Sequence, residues 1–219
     1  MGKVRAVLLV VGLTVGCSAG LTAATVTPAV AVNCVFHGDS YVPGTWIYFD
    51  TIIFECQADG TWKVIGDMKP RSFRNFHNGR SGLCLATAFG LATEGAQVLQ
   101  WGCNAEHWEW WGAPDIAVNG YTQIVNYHAG KCLGTEGRSA GSGAGMIITT
   151  CHAATLDHLD QWWRKEAAPN GRTVLRNALS GFVLGVTGGS TGNGARAVQR
   201  PFVSGDPSQT WGFTPVIEP

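Results

Sequence analysis

The chain has 219 residues, with 15 lysines and arginines against 15 aspartates and glutamates, so its formal net charge is zero and only 14% of its residues are charged. A nucleic-acid-binding protein needs a dense basic face, and this composition does not supply one, so no nucleic-acid partner is expected. The chain also has 30 glycines and lacks helical periodicity. Short β-branched and aromatic runs between closely spaced turns therefore predict an all-β protein.

The N-terminal 31 residues have the features of a secretory signal peptide. Lys3 and Arg5 form a short basic region, an apolar stretch runs from Ala6 to Val15, and Ala29-Val30-Ala31 is a small-x-small cleavage signal. The apolar stretch is shorter than the roughly 20 residues that a membrane-spanning helix needs. We therefore expect a secreted protein without a membrane span, the alternative being a lipoprotein anchored through Cys17.

The cysteine count agrees with export. Removing Cys17 with the signal leaves six cysteines, an even number that suits an oxidising compartment. Their spacing predicts three local disulfides: Cys34–Cys56, Cys84–Cys103 and Cys132–Cys151. No Cys-x-x-Cys motif is present in the sequence, and we expect neither a metal site nor a cofactor.

Residues 32–69 are predicted to form a small β-module held by the first disulfide. Strands are expected over 45–49, 51–56 and 61–65, with a tight turn at Asp59-Gly60 and a linker from Gly66 to Pro70. The module contains four aromatic residues that are either its small core or a surface for a cell wall or polysaccharide: Tyr41, Trp46, Tyr48 and Trp62.

The remainder of the chain contains three degenerate copies of one sequence with a period near 50 residues. Aligned on a Gly-Ala pair, the copies include Gly95–Cys103, Gly143–Cys151 and Gly194–Phe202. Each copy is preceded by an asparagine, taken as Asn75, Asn126 and Asn177, which are 51 residues apart. Each ends in a tryptophan that we expect to be a pseudo-symmetric core residue: Trp111, Trp163 and Trp211. Three copies are the number that closes a pseudo-threefold barrel.

The third copy lacks the disulfide of the other two. Val183 and Phe202 occupy the cysteine positions, and we expect an apolar contact between them to replace the bond.

Each repeat closes with a Gln-x-Trp motif or its variant, namely Glu109-Trp110-Trp111, Gln161-Trp162-Trp163 and Gln209-Thr210-Trp211. With the two matched cysteine pairs, these motifs resemble the subdomains of ricin-B-type (R-type) lectins. The resemblance implies a β-trefoil of about twelve strands over residues 70–219, six of them forming a barrel and six capping it. It also implies secretion and the binding of galactose-type or plant-polysaccharide sugars.

The same resemblance locates the sugar-binding positions. The family aspartate after the first Cys-Leu is replaced in all three repeats, by Ala86, Gly134 and Gly185. The stacking aromatic is kept only in repeat one, at Trp101. The tentative carbohydrate-binding residues are Trp101, Trp108, Glu109, Asp160, Gln161 and Gln209, with repeat one as the best site. The Gln or Glu of each motif alternatively serves hydrogen bonds of a turn.

An enzyme and a protein-interaction module are the alternatives to carbohydrate binding. The sequence shows no catalytic motif of the Cys–His or HExxH type, and a non-catalytic protein is expected. The alternative is a protein-interaction or inhibitor β-trefoil without sugar binding, since loops of this fold also bind proteins. The expected partner is therefore a glycan or polysaccharide, with a protein partner as the second possibility.

Overall fold

The structure is a computed structural model that describes residues 31–36, 38–49, 52–67, 70, 72–114, 117, 119–152 and 156–216. The predicted signal segment, apart from Ala31, and Cys17 lie outside these residues. Within the described part, no helix is long and apolar enough to cross a membrane.

The N-terminal module contains a two-stranded hairpin and a three-stranded antiparallel sheet. The five strands are β1 (Cys34–Phe36), β2 (Asp39–Tyr41), β3 (Trp46–Phe49), β4 (Ile52–Cys56) and β5 (Trp62–Asp67). The sequence predicted the second sheet but not the first hairpin. Strand β5 pairs with β4 through Gly66 and Asp67, so the predicted linker is wrong in its first two residues.

Trp62 organises the packing of this module. Its ring lies edge-on to Phe36 and Tyr41, with centroid distances of 6.2 and 5.6 Å, and its Nε1–H donates to the carbonyl of Val35. Tyr41 and Trp62 therefore serve the small core, one of the two roles considered for them. The side chains of Trp46 and Tyr48 lie outside the described part of the structure.

The three repeats fold into a single branched sheet. Its strand segments are β6 (Phe73–Asn78), β7 (Cys84–Thr87), β8 (Val98–Trp101), β9 (Trp110–Gly112), β10 (Thr122–Gln123), β11 (Val125–Asn126), β12 (Cys132–Thr135), β13 (Met146–Thr149), β14 (Trp162–Ala168), β15 (Arg172–Asn177), β16 (Val183–Val186), β17 (Ala197–Arg200) and β18 (Trp211–Pro215). Short 3-10 helices connect them at Ala88–Gly90, His107–Glu109, Glu136–Arg138, Leu156–Gln161, Pro169–Gly171, Thr187–Gly189 and Pro207–Gln209.

The pairing pattern closes a barrel and caps it with hairpins. Strands β14, β15, β18, β6, β9 and β11 pair in that order, and β10, which continues into β11 through Ile124, pairs back to β14. The hairpins β7–β8, β12–β13 and β16–β17 branch from this ring. Six barrel positions and six cap strands confirm the predicted β-trefoil.

The closing tryptophans hold the centre of the fold, as predicted. Trp111, Trp163 and Trp211 have no exposed surface and belong to one core cluster. Each indole N–H donates to the carbonyl of the second residue of a cap hairpin, at 2.8, 2.9 and 3.1 Å: Leu85, Leu133 and Leu184. A buried donor is thereby satisfied at the same place in each repeat.

The asparagine that begins each repeat was misidentified in the first copy. Asn126 and Asn177 are fully buried, and their Nδ2 atoms donate to the carbonyls of Trp108 and Asp160 at the end of the preceding repeat. In repeat one Asn78 makes this bond, to Ser208, whereas Asn75 donates to a different carbonyl. The prediction of Asn75 was wrong. Asn75 lies 51 residues before Asn126, but its side-chain amide does not make the hydrogen bond that Asn126 and Asn177 make.

All three disulfides are formed between the predicted partners, Cys34–Cys56, Cys84–Cys103 and Cys132–Cys151. In repeat three Val183 is fully buried, whereas Phe202 is 47% exposed and its ring lies 5.8 Å from the guanidinium carbon of Arg176. The apolar contact expected between these two residues stays a prediction.

Candidate functional site

Each cap hairpin faces a short 3-10 turn and the segment that precedes the closing tryptophan. In repeats one and two this arrangement leaves a surface cavity, of about 560 Å³ and about 350 Å³ respectively. Both volumes lie in the range of small-molecule sites, roughly 300–1,000 Å³. The cavities occupy the positions at which the resemblance placed sugar binding.

The cavity of repeat one is aromatic. Trp101, at the end of β8, is 43% exposed and forms one wall, and Trp108 forms another. The Trp108 ring rests on the backbone of Gly90, where a Cβ atom would lie 3.1 Å from it. Ala86 lines the cavity at the position of the family aspartate. Among the described residues that line this cavity, none is charged.

Phe89 also lines this cavity and was missed by the sequence analysis. It is 98% exposed and its backbone is left-handed, with φ 55°. The equivalent residues are Gly137 and Gly188, with φ 62° and 60°. A phenylalanine aligned with two glycines was the signal in the sequence that could have identified it.

The two glutamines among the predicted sugar-binding residues fasten a loop. Gln161 is buried, its Nε2 donates to the carbonyl of Thr150 and its Oε1 accepts from the N–H of His152, both at 2.8 Å. Gln209 is buried and makes the equivalent two bonds, each 2.7 Å long, with the loop that follows β17. The amide groups of both residues are therefore occupied by backbone, which is the turn role considered for them.

Glu109 occupies the same position in repeat one but makes only one of the two hydrogen bonds that each glutamine makes. Its Oε2 accepts from the N–H of Asn104 at 2.9 Å, whereas its Oε1 is buried without a hydrogen-bond partner. Burial raises the pKa of Glu109, and the nearby N–H groups offset this only in part. The carboxyl group lies in the interior rather than in the cavity, so the structure gives Glu109 a place in the loop and not beside a ligand.

The cavity of repeat two has a buried carboxylate at its base. Asp160 lines the cavity and is 1% exposed, and neither carboxylate oxygen has a hydrogen-bond partner. A Cβ atom on Gly134, the position of the family aspartate, would lie 3.0 Å from Oδ2 of Asp160. The carboxylate of Asp160 thus occupies the space of the missing aspartate side chain.

The electrostatic surroundings of Asp160 are mixed. Burial raises the pKa of Asp160, while the backbone N–H of Thr135 and the positive potential of His158 and Arg138 lower it. His152 and His158 stack with centroids 3.9 Å apart at the edge of the same cavity. A carboxylate therefore lies beneath this cavity where the lectin family has one, but it comes from the other end of the repeat and its oxygens are buried.

The equivalent space of repeat three is filled by Arg200. The guanidinium group bonds Oδ2 of Asp206 at 2.7 Å and also donates to the hydroxyl of Ser208. A Cβ atom on Gly185 would lie 3.1 Å from Nε of Arg200. Arg200, which is at the stacking position of repeat three, therefore fills the space that is a cavity in the other two repeats.

The predicted site residues thus separate into three groups. Trp101 and Trp108 meet in the cavity of repeat one, and Asp160 forms the base of that of repeat two. Glu109, Gln161 and Gln209 are buried and each bonds the loop before it, although Gln161 also borders the second cavity.

A six-position barrel capped by three hairpins, with an indole at each repeat end, defines the β-trefoil class. Two models of the ricin-type lectin family match the chain: the ricin-type beta-trefoil lectin domain-like model over residues 58–152 and the ricin-type beta-trefoil lectin domain model over residues 120–218. Together they span all three repeats. The chain belongs to the ricin-type β-trefoil lectin family.

Solved structures show the same fold. The designed three-fold symmetric protein ThreeFoil is 28% identical, with a TM-score of 0.59 over 64% of this chain and 96% of that one. The Rhizoctonia solani agglutinin is 17% identical, with a TM-score of 0.58 over 68% and 97%. The exo-β-1,3-galactanase 1,3Gal43A from Clostridium thermocellum is 22% identical, with a TM-score of 0.64 over 84% of this chain but only 37% of the enzyme. No curated protein sequence matches the chain.

Proposed function

We propose that this is a secreted, non-catalytic protein that binds a glycan or polysaccharide through its β-trefoil. The observation that carries the proposal is Trp101, which stands half-exposed on the wall of a cavity of about 560 Å³ at the stacking position of the lectin family. The C–H face of a pyranose packs on an aromatic plane, while its hydroxyls seek polar groups at the rim. Secretion is supported by three disulfides, since such bonds persist in oxidising compartments.

A second sugar site is proposed in repeat two. Its support is the Asp160 carboxylate, which lies at the base of the cavity, 3.0 Å from the position of a Cβ atom on Gly134. A hydrogen bond to a charged group contributes about 1.5–3 kcal/mol, which is a large share of the affinity of a shallow site. The two sites differ in chemistry, so substitutions separate them.

The test is a glycan and polysaccharide array probed with the full-length expressed protein carrying its disulfides. Trp101→Ala is compared with Phe202→Ala, which removes an aromatic of similar exposure, 47%, from repeat three. We expect Trp101→Ala to lose at least tenfold in affinity for glycans bound by repeat one and Phe202→Ala to bind as the parent does.

Asp160→Asn tests the second site, because it keeps the shape of the side chain and removes its charge. Ligands that depend on Asp160 and not on Trp101 would establish two sites. A folded protein that binds nothing on the array would refute the proposal and favour the protein-interaction or inhibitor trefoil.

A further inference from the structure

An imidazole ring lies against one of the three disulfides. Nδ1 of His77 is 3.4 Å from Sγ of Cys103 and 3.6 Å from Sγ of Cys84. Nε2 of the same ring is buried and has no hydrogen-bond partner among the described residues. A histidine and two cysteines this close have the donor atoms of a metal site. Because the two sulfurs are bonded to each other, neither is a thiolate, and the chemistry open to this cluster is that of the disulfide.

The second repeat has the same disulfide without the imidazole. His77 pairs with Cys84 across strands β6 and β7, and at the equivalent register Val125 pairs with Cys132 across β11 and β12. Both disulfides join cysteines that are 19 residues apart. In the third repeat, which has no disulfide, the same position holds Arg176, paired with a valine. Neither the fold nor the disulfide therefore requires an imidazole at this position.

The two sulfur atoms of the repeat-one disulfide differ in access. Cys84 has no exposed surface, whereas Cys103 is exposed in the loop that follows β8. In repeat two Cys132 is likewise fully buried, but Cys151 is half-buried rather than exposed. A thiol from solution can thus reach Cys103 and not Cys84. Access and the choice of the attacked sulfur both affect the rate of thiol–disulfide exchange.

We propose that the Cys84–Cys103 disulfide is a site of covalent modification by a low-molecular-weight thiol, and that His77 assists the exchange. The thiol loses its proton to solvent, and its sulfur attacks Sγ of Cys103 to form a mixed disulfide there. The bond to Cys84 breaks, and its electron pair goes to Sγ of Cys84. The N–H at Nδ1 of His77 donates a hydrogen bond to this new thiolate. The sulfur of the thiol is oxidised while that of Cys84 is reduced, so the exchange needs no further oxidant or reductant.

His77 accelerates this step because it stabilises the leaving group. A neighbouring histidine favours the thiolate form of a cysteine, and a disulfide opens faster when its leaving thiolate is more stable. Such help matters most at a buried sulfur like that of Cys84, where the surroundings screen charge less than water does. Val125 cannot supply a donor from the equivalent position of repeat two. This inference is independent of the proposed carbohydrate binding.

The experiment exposes the oxidised full-length protein to reduced glutathione at neutral pH. Free thiols are trapped at intervals with N-ethylmaleimide, and the peptides are analysed by mass spectrometry. We expect the disulfide of repeat one to open at least about tenfold faster than that of repeat two, with glutathione on Cys103 and the maleimide on Cys84. In concentrated urea, which separates His77 from the sulfurs, the two disulfides should open at similar rates.

Two reciprocal substitutions exchange the residues at the matched position. His77→Val copies repeat two and should slow the opening of the repeat-one disulfide at least about fivefold, while the repeat-two disulfide opens as in the parent protein. Val125→His should speed the opening of the repeat-two disulfide at least about threefold. Melting temperatures of the oxidised variants establish that each is folded, and either variant decides the question alone if the other does not fold.

The outcomes that contradict this inference are specific. Equal opening rates of the two disulfides in the folded parent protein would overturn it, as would a repeat-one rate that His77→Val leaves unchanged. Glutathione found on Cys84 with the maleimide on Cys103 would overturn the assigned direction of attack. The glycan array tests carbohydrate binding separately, so either proposal can fail while the other stands.

Discussion

Replacing Glu109 by glutamine should stabilise the protein at neutral pH. In repeats two and three the glutamine at this position donates one hydrogen bond and accepts another. Ionised Glu109 can only accept, and its Oε1 is buried without a partner. A net hydrogen bond contributes about 0.5–1.5 kcal/mol, and an unsatisfied buried group costs about 1–3 kcal/mol. We expect Glu109→Gln to raise the free energy of unfolding by about 1–2 kcal/mol at pH 7, or the melting temperature by about 2–8 °C for a chain of this size.

The gain should depend on pH in a defined direction. Because the folded pKa of Glu109 is raised, its favourable contribution is complete below the unfolded pKa and is lost as pH rises through the folded pKa. The protonated carboxyl can donate as glutamine does, so the advantage of Glu109→Gln should shrink on acidification. Calorimetric unfolding at several pH values between 4 and 8 measures this.

The reciprocal change, Gln209→Glu, provides a matched control in repeat three. It removes the donor to a loop carbonyl and should destabilise by about 1–3 kcal/mol at pH 7, with a smaller loss in acid. A Glu109→Gln protein that is no more stable at pH 7, or whose gain is the same at pH 4, would refute this reasoning.

Three further predictions concern the links between repeats and the second cavity. Desolvation opposes ionisation of Glu94, but hydrogen bonds from neighbouring groups lower its pKa to about 2, so its contribution is present above the unfolded pKa and is lost as pH falls through the folded pKa. Because half of this side chain is exposed, Glu94→Gln should cost at most about 1 kcal/mol in urea unfolding at pH 7 and less at pH 2, where the carboxyl is about half protonated. Trp163→Phe leaves the Leu133 carbonyl without its indole donor and should cost about 2–4 kcal/mol; a loss under 1 kcal/mol would contradict the role given to the indole. Gly134→Ala places a Cβ atom 3.0 Å from Oδ2 of Asp160 and should cost about 1–3 kcal/mol and abolish binding at repeat two, while glycans that depend on repeat one still bind.

The sequence predicted those residues that make the same contact in every repeat in which they occur. The closing tryptophans occur in all three repeats, and the disulfides of repeats one and two each join cysteines 19 residues apart, so each has one physical role that the spacing reveals. Asn75 shows the limit of spacing, because an asparagine at the expected interval was not the one whose amide joins two repeats. Only the hydrogen bonds of Asn78 identify it.

The site was less predictable because its carboxylate comes from a different position in the repeat than in the family. The loss of the family aspartate at Gly134 suggested an empty acceptor position, but a glycine leaves room for a side chain from elsewhere, and Asp160 fills it. Nothing in a linear alignment links these two residues, which are 26 positions apart. Phe89 was accessible to sequence reasoning, since its aligned residues are glycines, but its exposure and its left-handed backbone are visible only in the structure.

The contrast between the two cavities and the filled space of repeat three also limits the number of sugar sites that one chain can have. The barrel depends on buried indoles and backbone carbonyls, which all three repeats retain, so the residues facing the cavities can change at little cost in stability. At the stacking position repeat one has Trp101, repeat two has Thr149 and repeat three has Arg200. Because the Arg200–Asp206 ion pair fills the third space, a sugar would have to displace a charged pair to enter it. If both proposed sugar sites are occupied, the chain holds two ligands of different chemistry rather than three equal ones, and any gain from multivalency should require glycans that present both kinds of sugar.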